Sequence, residues 1–357
     1  MKIIQLLPTL AFGDAVGNDT LALMNVIADM GYETGIYAEA VQGIKDKRVK
    51  PAYKIPYLKP EDILIYHMSI GSQLTYDIET YKCRKIMIYH NITPAEFPAP
   101  YNAFTAAACS EGLEQVKYLA DKFDYCLADS EFNKQELIRM GYKCKIDVLP
   151  ILIPFEDYQK EPSVKVLRKY KDDYVNILFT GRIAANKKQE DIIHTFYYYK
   201  KYINPKSRLF LVGSYLGMEK YYYSLKAYVD KLKLKDVYFT GHISFAEILA
   251  YYHLADIFLC MSEHEGFCVP LAEAMAFEIP IIAYDSSAIS YTLGGSGILL
   301  KEKDFKVAAE MINKVTECKE LRDVVIYNQN VRLKDFKHEA IKKQFIQYIE
   351  AFQRNEV

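Results

Sequence analysis

Short apolar runs alternate with stretches of helical spacing along almost the whole chain. Residues 3–7, 35–38, 63–67, 86–90, 125–128 and 146–150 form a first series of strand candidates. Between about 154 and 173 the periodicity lapses and the chain turns charged, which predicts a linker with a short helix. Alternation resumes at 175–180, 209–212, 237–239, 255–261, 279–283 and 297–300. Continuous apolar runs of this length, spaced by helix-sized segments, predict βαβ units whose parallel strands are buried on both faces. Asn18 or Asp19 is placed to cap a first helix that runs to about Met30 and is closed by Gly31. Near the end, Phe336, Ile341, Phe345, Ile346, Ile349 and Phe352 recur at helical spacing, so 332–354 reads as an amphipathic helix. The pattern predicts an α/β chain with two Rossmann-like domains facing across a cleft. The domains are placed at residues 1–155 and 172–331, with the ligand between them.

Size and charge narrow this further. The 357 residues exceed what one core accommodates, which agrees with two domains. A net charge of −1 without a basic stripe argues against a nucleic-acid binder. The seven cysteines are scattered, with no C-x-x-C pair, and are expected to be buried thiols in a reducing cytoplasm. No apolar run is long enough to span a bilayer, and residues 1–8 read as a strand rather than a signal peptide. The chain has 31 tyrosines and no tryptophan. Its clusters at 197–199 and 221–223 are expected to set their rings at the core edge and their hydroxyls in water.

Four stretches carry candidate chemistry. The first runs from Ser262 to Met275, after a buried strand. It turns through Gly266 and starts a helix near Pro270, and a helix start suits a phosphate. Glu265 in the loop and Glu273 in the helix could accept hydrogen bonds from sugar or ribose hydroxyls. Taken alone, the stretch fits a solvated loop with a helix-start acid equally well. The second is Gly181-Arg182 followed by Lys187, two cations that could converge on a diphosphate leaving group or be merely solvated. The third is His90 at a strand end, a candidate for sugar contact or proton transfer, or simply a structural histidine. His67, at the parallel strand end, has the weaker claim because no turn chemistry follows it. The fourth is the loop around Gly13 to Gly17, where glycine lets backbone approach a ligand. Its spacing is not that of a dinucleotide fingerprint.

Together these stretches resemble the retaining glycosyltransferases of family four, the "glycosyl transferases group 1" type, with the GT-B fold. The resemblance is carried by the E-x7-E pair Glu265 and Glu273, the Gly181-Arg182…Lys187 clamp, Tyr89-His90-Asn91-Ile92-Thr93-Pro94, Ala128-Asp129-Ser130-Glu131-Phe132-Asn133 and Gly13-Asp14-Ala15. It implies that Glu273 holds the donor ribose and that Glu265 lies beside the donor sugar. Backbone of Gly266, Phe267 and Cys268 would meet sugar hydroxyls, and backbone from Val269 to Leu271 the phosphates. Arg182 and Lys187 would grip the diphosphate, His90 would touch the sugar, and the Gly13 loop would approach the diphosphate and acceptor. Gly213, His242 and Ile243 would flank the base. No metal or other cofactor is expected, and the final helix, residues 332–357, would cross back to the N-terminal domain. The resemblance leans toward bacterial surface-polysaccharide enzymes and GDP-mannose, with a UDP-hexose or dTDP-rhamnose close behind, a glycan or lipid-linked acceptor and any membrane contact peripheral. The rival functions are a phosphorylase or epimerase on the same fold, and a non-catalytic nucleotide-sugar-binding subunit of a polysaccharide-assembly complex. Glu278 and Ser290 depart from the family pattern, where Gly and Pro are frequent.

Overall fold

The computed structural model describes residues 1–11 and 13–357. Phe12, at the head of the Gly13 loop, lies outside the described residues. The chain forms two compact units. The first holds residues 1–95, 106–154 and 335–357, and the second holds 96–105 and 155–334.

The first unit is built on seven strands: β1 (Lys2–Ala11), β2 (Glu33–Gln42), β3 (Val49–Pro51), β4 (Ile63–Met68), β5 (Arg84–Tyr89), β6 (Tyr125–Ala128) and β7 (Lys145–Val148). They pair in parallel in the order β3-β2-β1-β4-β5-β6-β7. The order reverses between β1 and β4, and this is the switch point at which doubly wound sheets bind ligands. The two faces of the sheet separate by residue parity, as a strand's period of two requires. Ile63 and Ile65 of β4 join one apolar cluster, and Leu64 and Tyr66 join the other. β3 was not expected from the sequence. Three residues on a sheet edge carry too little apolar pattern to register.

The first helix, Ala15–Asp29, begins earlier than the sequence suggests. Asp14 is its N-cap, accepting from Gly17 N at 3.4 Å, so Asn18 and Asp19 lie inside the helix. Asp19 is instead turned inward and buried. Gly17 is required at its position, because a Cβ there would stand 2.3 Å from the Ala11 carbonyl oxygen.

The last helix, His338–Gln353, is shorter than the expected 332–354, because a turn at Lys334–Phe336 separates it from the helix Lys319–Leu333. Its apolar stripe of Ile341, Phe345, Ile349 and Phe352 completes the cluster formed by Ile3, Ile63, Ile65, Ile86 and Ile88. Arg84 fixes the end of this helix: its guanidinium lies 3.9 Å from the Phe352 ring centroid and donates to the Phe352 carbonyl. Cations at a helix C-terminus complement its unpaired carbonyls.

The second unit repeats the plan with six strands: β8 (Val175–Thr180), β9 (Ser207–Val212), β10 (Val237–Gly241), β11 (Ile257–Cys260), β12 (Ile281–Tyr284) and β13 (Ile298–Leu300). Their order is β10-β9-β8-β11-β12-β13, all parallel, with the reversal between β8 and β11. The charged stretch after Pro154 folds as the turn Phe155–Gln159 and the helix Val164–Lys169. Residues 96–105 pack in this unit through aromatic and polar contacts: Phe97 on His264, Tyr101 on Tyr221, and Asn102 Nδ2 donating to the Gly217 carbonyl at 2.6 Å. Glu278, just past the helix Val269–Ala276, holds φ +55°, the left-handed conformation that explains why Gly is the easier residue there.

Candidate active site

The switch point of the second sheet brings the Arg182–Lys187 loop, after β8, beside the loop from Ser262 to Cys268, after β11. Backbone and side chains fasten the two. Glu263 N donates to the Asn186 carbonyl at 2.8 Å, and Asn186 Nδ2 donates to the His264 carbonyl at 2.9 Å. Beyond this zipper Lys187 Nζ forms an ion pair with Glu265 Oε2. Burial works against the Lys187 ammonium, but the Glu265 carboxylate beside it outweighs that and raises its pKa. The other oxygen, Glu265 Oε1, is buried without a hydrogen-bond partner. A buried carboxylate oxygen left without a donor is costly and marks a group held for another partner.

The acidic loop is also tied from its far side. Ser287 Oγ accepts from Glu265 N at 2.8 Å, Ser286 Oγ donates to the Ser262 carbonyl at 2.6 Å, and Thr292 Oγ1 donates to the Phe267 carbonyl. Cys268 ends the loop at φ +70° and ψ +66° and starts the helix Val269–Ala276 with no side-chain cap. The first N–H groups of a helix have no partner within it, so this end suits an anion. Leu271 N is an exception, since it donates to the Cys268 carbonyl at 3.0 Å and does not point outward to a phosphate as expected.

Arg182 leaves β8 exposed, while its carbonyl accepts from Gln189 Nε2 at 3.0 Å. Arg182 and Lys187 thus stem from one loop, but Lys187 is already neutralised by Glu265. Glu273 faces a different set of groups. Its Oε1 accepts from Tyr158 at 2.6 Å and its Oε2 from Tyr252 at 2.5 Å, and burial raises its pKa. The E-x7-E pair therefore splits: Glu265 meets the Lys187 loop, and Glu273 sits among tyrosines. Sequence reasoning missed Tyr158 and Tyr252 because nothing local ties either to a glutamate 115 or 21 residues away. Gly213, His242 and Ile243 follow the C-terminal ends of β9 and β10 on the same sheet edge.

In the first unit, His90 follows β5 and is buried. Its Nδ1 meets Asp129 Oδ2 at 3.0 Å and its Nε2 meets His67 Nδ1 at 2.8 Å. His67 Nε2 in turn meets Gln5 Oε1 at 2.8 Å, and Gln5 Nε2 donates to the Thr20 carbonyl at 3.0 Å. Burial alone would discharge His90, yet Asp129 more than compensates and raises its pKa, while burial and the neighbouring His90 charge push His67 well below the usual histidine range. With the charge on His90, as these directions favour, every one of these bonds is satisfied: His90 donates to Asp129 and to a neutral His67, which donates to Gln5. His67, ranked lower from the sequence, is thus the direct partner of His90. The visible signal was that both histidines end adjacent strand runs. Asp19 joins the same buried neighbourhood, accepting from Leu152 N at 2.8 Å, and burial pushes its carboxyl up to about 7. Both ring nitrogens of His90 are engaged, so a sugar contact through either would have to displace Asp129 or His67. Gly13, at φ +79°, has open space around its α-carbon.

Residues 159–332 match the family model described as "Glycosyl transferases group 1". The matched stretch falls within the second unit. It contains the Lys187–Glu265 pair and Glu273. The chain is 28% identical over 240 residues to the capsular polysaccharide biosynthesis glycosyltransferase CapM of Staphylococcus aureus, covering 62% of this chain and 60% of that protein. It is 31% identical over 173 residues to the O-antigen chain mannosyltransferase RfbU of Salmonella typhimurium, covering 48% and 46%. The match thus spans about three-fifths of the length of CapM and less than half of RfbU. In fold, the chain is similar to Anabaena HepE, solved in complex with UDP-glucose, with a TM-score of 0.76, 17% identity and coverage of 98% and 100%. The two Rossmann-like sheets are those of a GT-B glycosyltransferase fold. Among the described residues, no helix is long and apolar enough to cross a membrane.

Proposed function

We propose that this chain is a retaining glycosyltransferase of cell-surface polysaccharide synthesis. It moves a hexosyl group, mannosyl by preference, from a nucleotide-diphosphate sugar to a glycan or lipid-linked acceptor. The observation that carries this reading is the Lys187–Glu265 pair at the β8–β11 switch point, with Glu265 Oε1 buried and unpartnered beside an uncapped helix start. A diphosphate arriving at that helix start would share the Lys187 ammonium with Glu265 and recruit the exposed Arg182. Those two cations offset the charge that grows as the sugar–phosphate bond breaks. The acceptor hydroxyl attacks the anomeric carbon on the face the diphosphate leaves, and a departing phosphate oxygen takes its proton. Glu265 Oε1 would accept a sugar hydroxyl, and a release of Glu273 by one of its tyrosines would let it reach the ribose. A sugar contact by His90 would require it to release Asp129 or His67. The reaction as proposed runs without a metal ion, and any contact with the inner membrane face is peripheral.

The mannosyl preference is supported by the likeness to an O-antigen mannosyltransferase, and a UDP-hexose donor is the competitor. The test is transfer from GDP-mannose and UDP-glucose to lipid-linked glycan acceptors, with product configuration read by NMR. Lys187→Ala and Glu265→Gln are expected to lose transfer by 10²-fold or more, as removal of a group that stabilises developing charge does. Rates equal to the unmodified protein in both variants, or inversion of configuration, would remove the proposal.

A further inference from the structure

Cys260 closes β11 and Cys268 begins the helix Val269–Ala276, with the Glu265 loop folded between them. The two Sγ atoms and a Glu265 carboxylate oxygen all lie within 4.8 Å of one another, and all three residues are buried. The thiols hydrogen-bond to each other, and Cys260 Sγ also lies 3.4 Å from Ser262 Oγ. A second observation points to a ligand. Glu265 is 6% exposed, its Oε2 holds Lys187, and its Oε1 has no partner. The carboxylate is therefore half-used, in a residue that also brings a carboxylate oxygen within 4.8 Å of two soft sulfur atoms.

We infer that Cys260, Glu265 and Cys268 form a site for a thiophilic divalent cation, with Zn²⁺ the ion that fits, and that its occupation opposes donor binding. Two thiolates and one carboxylate supply three protein ligands of the kinds zinc takes, leaving a fourth position open. Binding releases the two thiol protons, and each sulfur gives its electron pair to the metal, with no oxidant or reductant involved. The charges then close: two thiolates and a carboxylate against the dication and the Lys187 ammonium. Lys187, which pairs with Glu265, keeps 22% of its side chain exposed, so the cluster is not sealed on every side. Two other clusters fit a metal less well. Cys126 and Cys144 have sulfurs 3.5 Å apart but no third ligand among the described residues. Asp19, His67 and His90 lie close together, but both nitrogens of each histidine are already engaged, by Asp129, by Gln5 and by each other, and Asp19 accepts from Leu152 N. The opposition to donor binding rests on the glycosyltransferase reading; the metal site does not.

The experiment titrates the reduced full chain with Co²⁺, then displaces it with Zn²⁺. One equivalent of Co²⁺ is expected to give a thiolate-to-metal charge-transfer band that Zn²⁺ abolishes. Cys260→Ser and Cys268→Ser should each lose the band, and Cys144→Ser should keep it. Absence of a band in the unmodified protein, or a band unchanged in a folded Cys260→Ser or Cys268→Ser variant, overturns the site. If one variant does not fold, the other and the unmodified titration decide. A saturating nucleotide sugar that supports transfer is then expected to weaken Zn²⁺ binding at least tenfold. An unchanged Zn²⁺ affinity overturns the competition, while the glycosyltransferase reading stands or falls by its own assay.

Discussion

At the residue scale, the second unit places its acids in opposite circumstances. Glu265 has one oxygen in an ion pair and one unsatisfied, whereas Glu273 has both oxygens taken by tyrosine hydroxyls. Tyr252 also shares its hydroxyl with Thr180 Oγ1 at 2.6 Å. Tyr252→Phe strips a donor from a buried carboxylate and is expected to destabilise the second unit by about 1–3 kcal/mol, measured by urea unfolding. In the first unit the sensitive group is Asp19. Its carboxyl is raised by burial from 3.8 to about 7, so the folded state binds its proton more tightly than the unfolded state. Such a group favours folding most below its unfolded pKa, and that contribution is lost as pH rises from about 4 to about 7. The unmodified protein should therefore lose stability relative to Asp19→Asn across that window, at up to about 1.4 kcal/mol per pH unit, with a constant difference above it. Denaturant midpoints for the two proteins that run parallel from pH 5 to 7.5 would contradict this.

At the element scale, strand ends and glycines set where chemistry can sit. Gly213, directly after β9, holds φ +153°, and a Cβ there would stand 1.9 Å from the Gly181 carbonyl oxygen. The β8 and β9 exits thus approach backbone to backbone, in the loop that leads to Arg182 and Lys187. Gly213→Ala is expected to prevent the second unit from reaching its native packing. Gly141→Ala meets nothing within 4 Å and bears only its left-handed φ of +96°, so it should fold. Circular dichroism and proteolysis of the two variants separate these outcomes. The last helix makes the opposite point, that an element distant in sequence can complete a core. Phe345 is fully buried in the cluster with Ile63, Ile65, Ile86 and Ile88. Phe345→Ala is expected to cost about 3–5 kcal/mol, as large-to-small core substitutions do, read as a lowered unfolding midpoint.

At the scale of the whole molecule, two sheets of the same strand order each bring polar side chains to the ends of their central strands. In the first, β4 and β5 lead to His67 and His90; in the second, β8 and β11 lead to Lys187 and Glu265. The donor reading makes a thermodynamic prediction for the intact chain. A ligand that binds only the folded state at about 100 times its Kd adds about 2.7 kcal/mol. GDP-mannose is therefore expected to raise the melting temperature more than UDP-glucose at equal concentration. A larger shift with UDP-glucose would move the donor assignment to a UDP-hexose, and no shift with any nucleotide sugar would count against the site itself.

The sequence by itself determined the βαβ alternation, twelve of the thirteen strands among the described residues and the strand ends at which its candidate residues lie. These rest on local causes: apolar runs of strand length, glycines at turns and a proline at a helix start. Only the tertiary structure decided which charged groups meet. The sequence put Lys187 and Arg182 together as free cations, but the strand order sets the β8 loop against the β11 loop, and Lys187 reaches Glu265 across 78 residues. It ranked His67 below His90, but neighbouring strands stack the two rings 5.1 Å apart. It paired Glu265 with Glu273 by spacing, but packing turned one toward a lysine and the other toward two tyrosines. Periodicity along a chain reports which face of an element is buried. The partner of a buried charge is fixed by elements far away in sequence, and no local pattern records them.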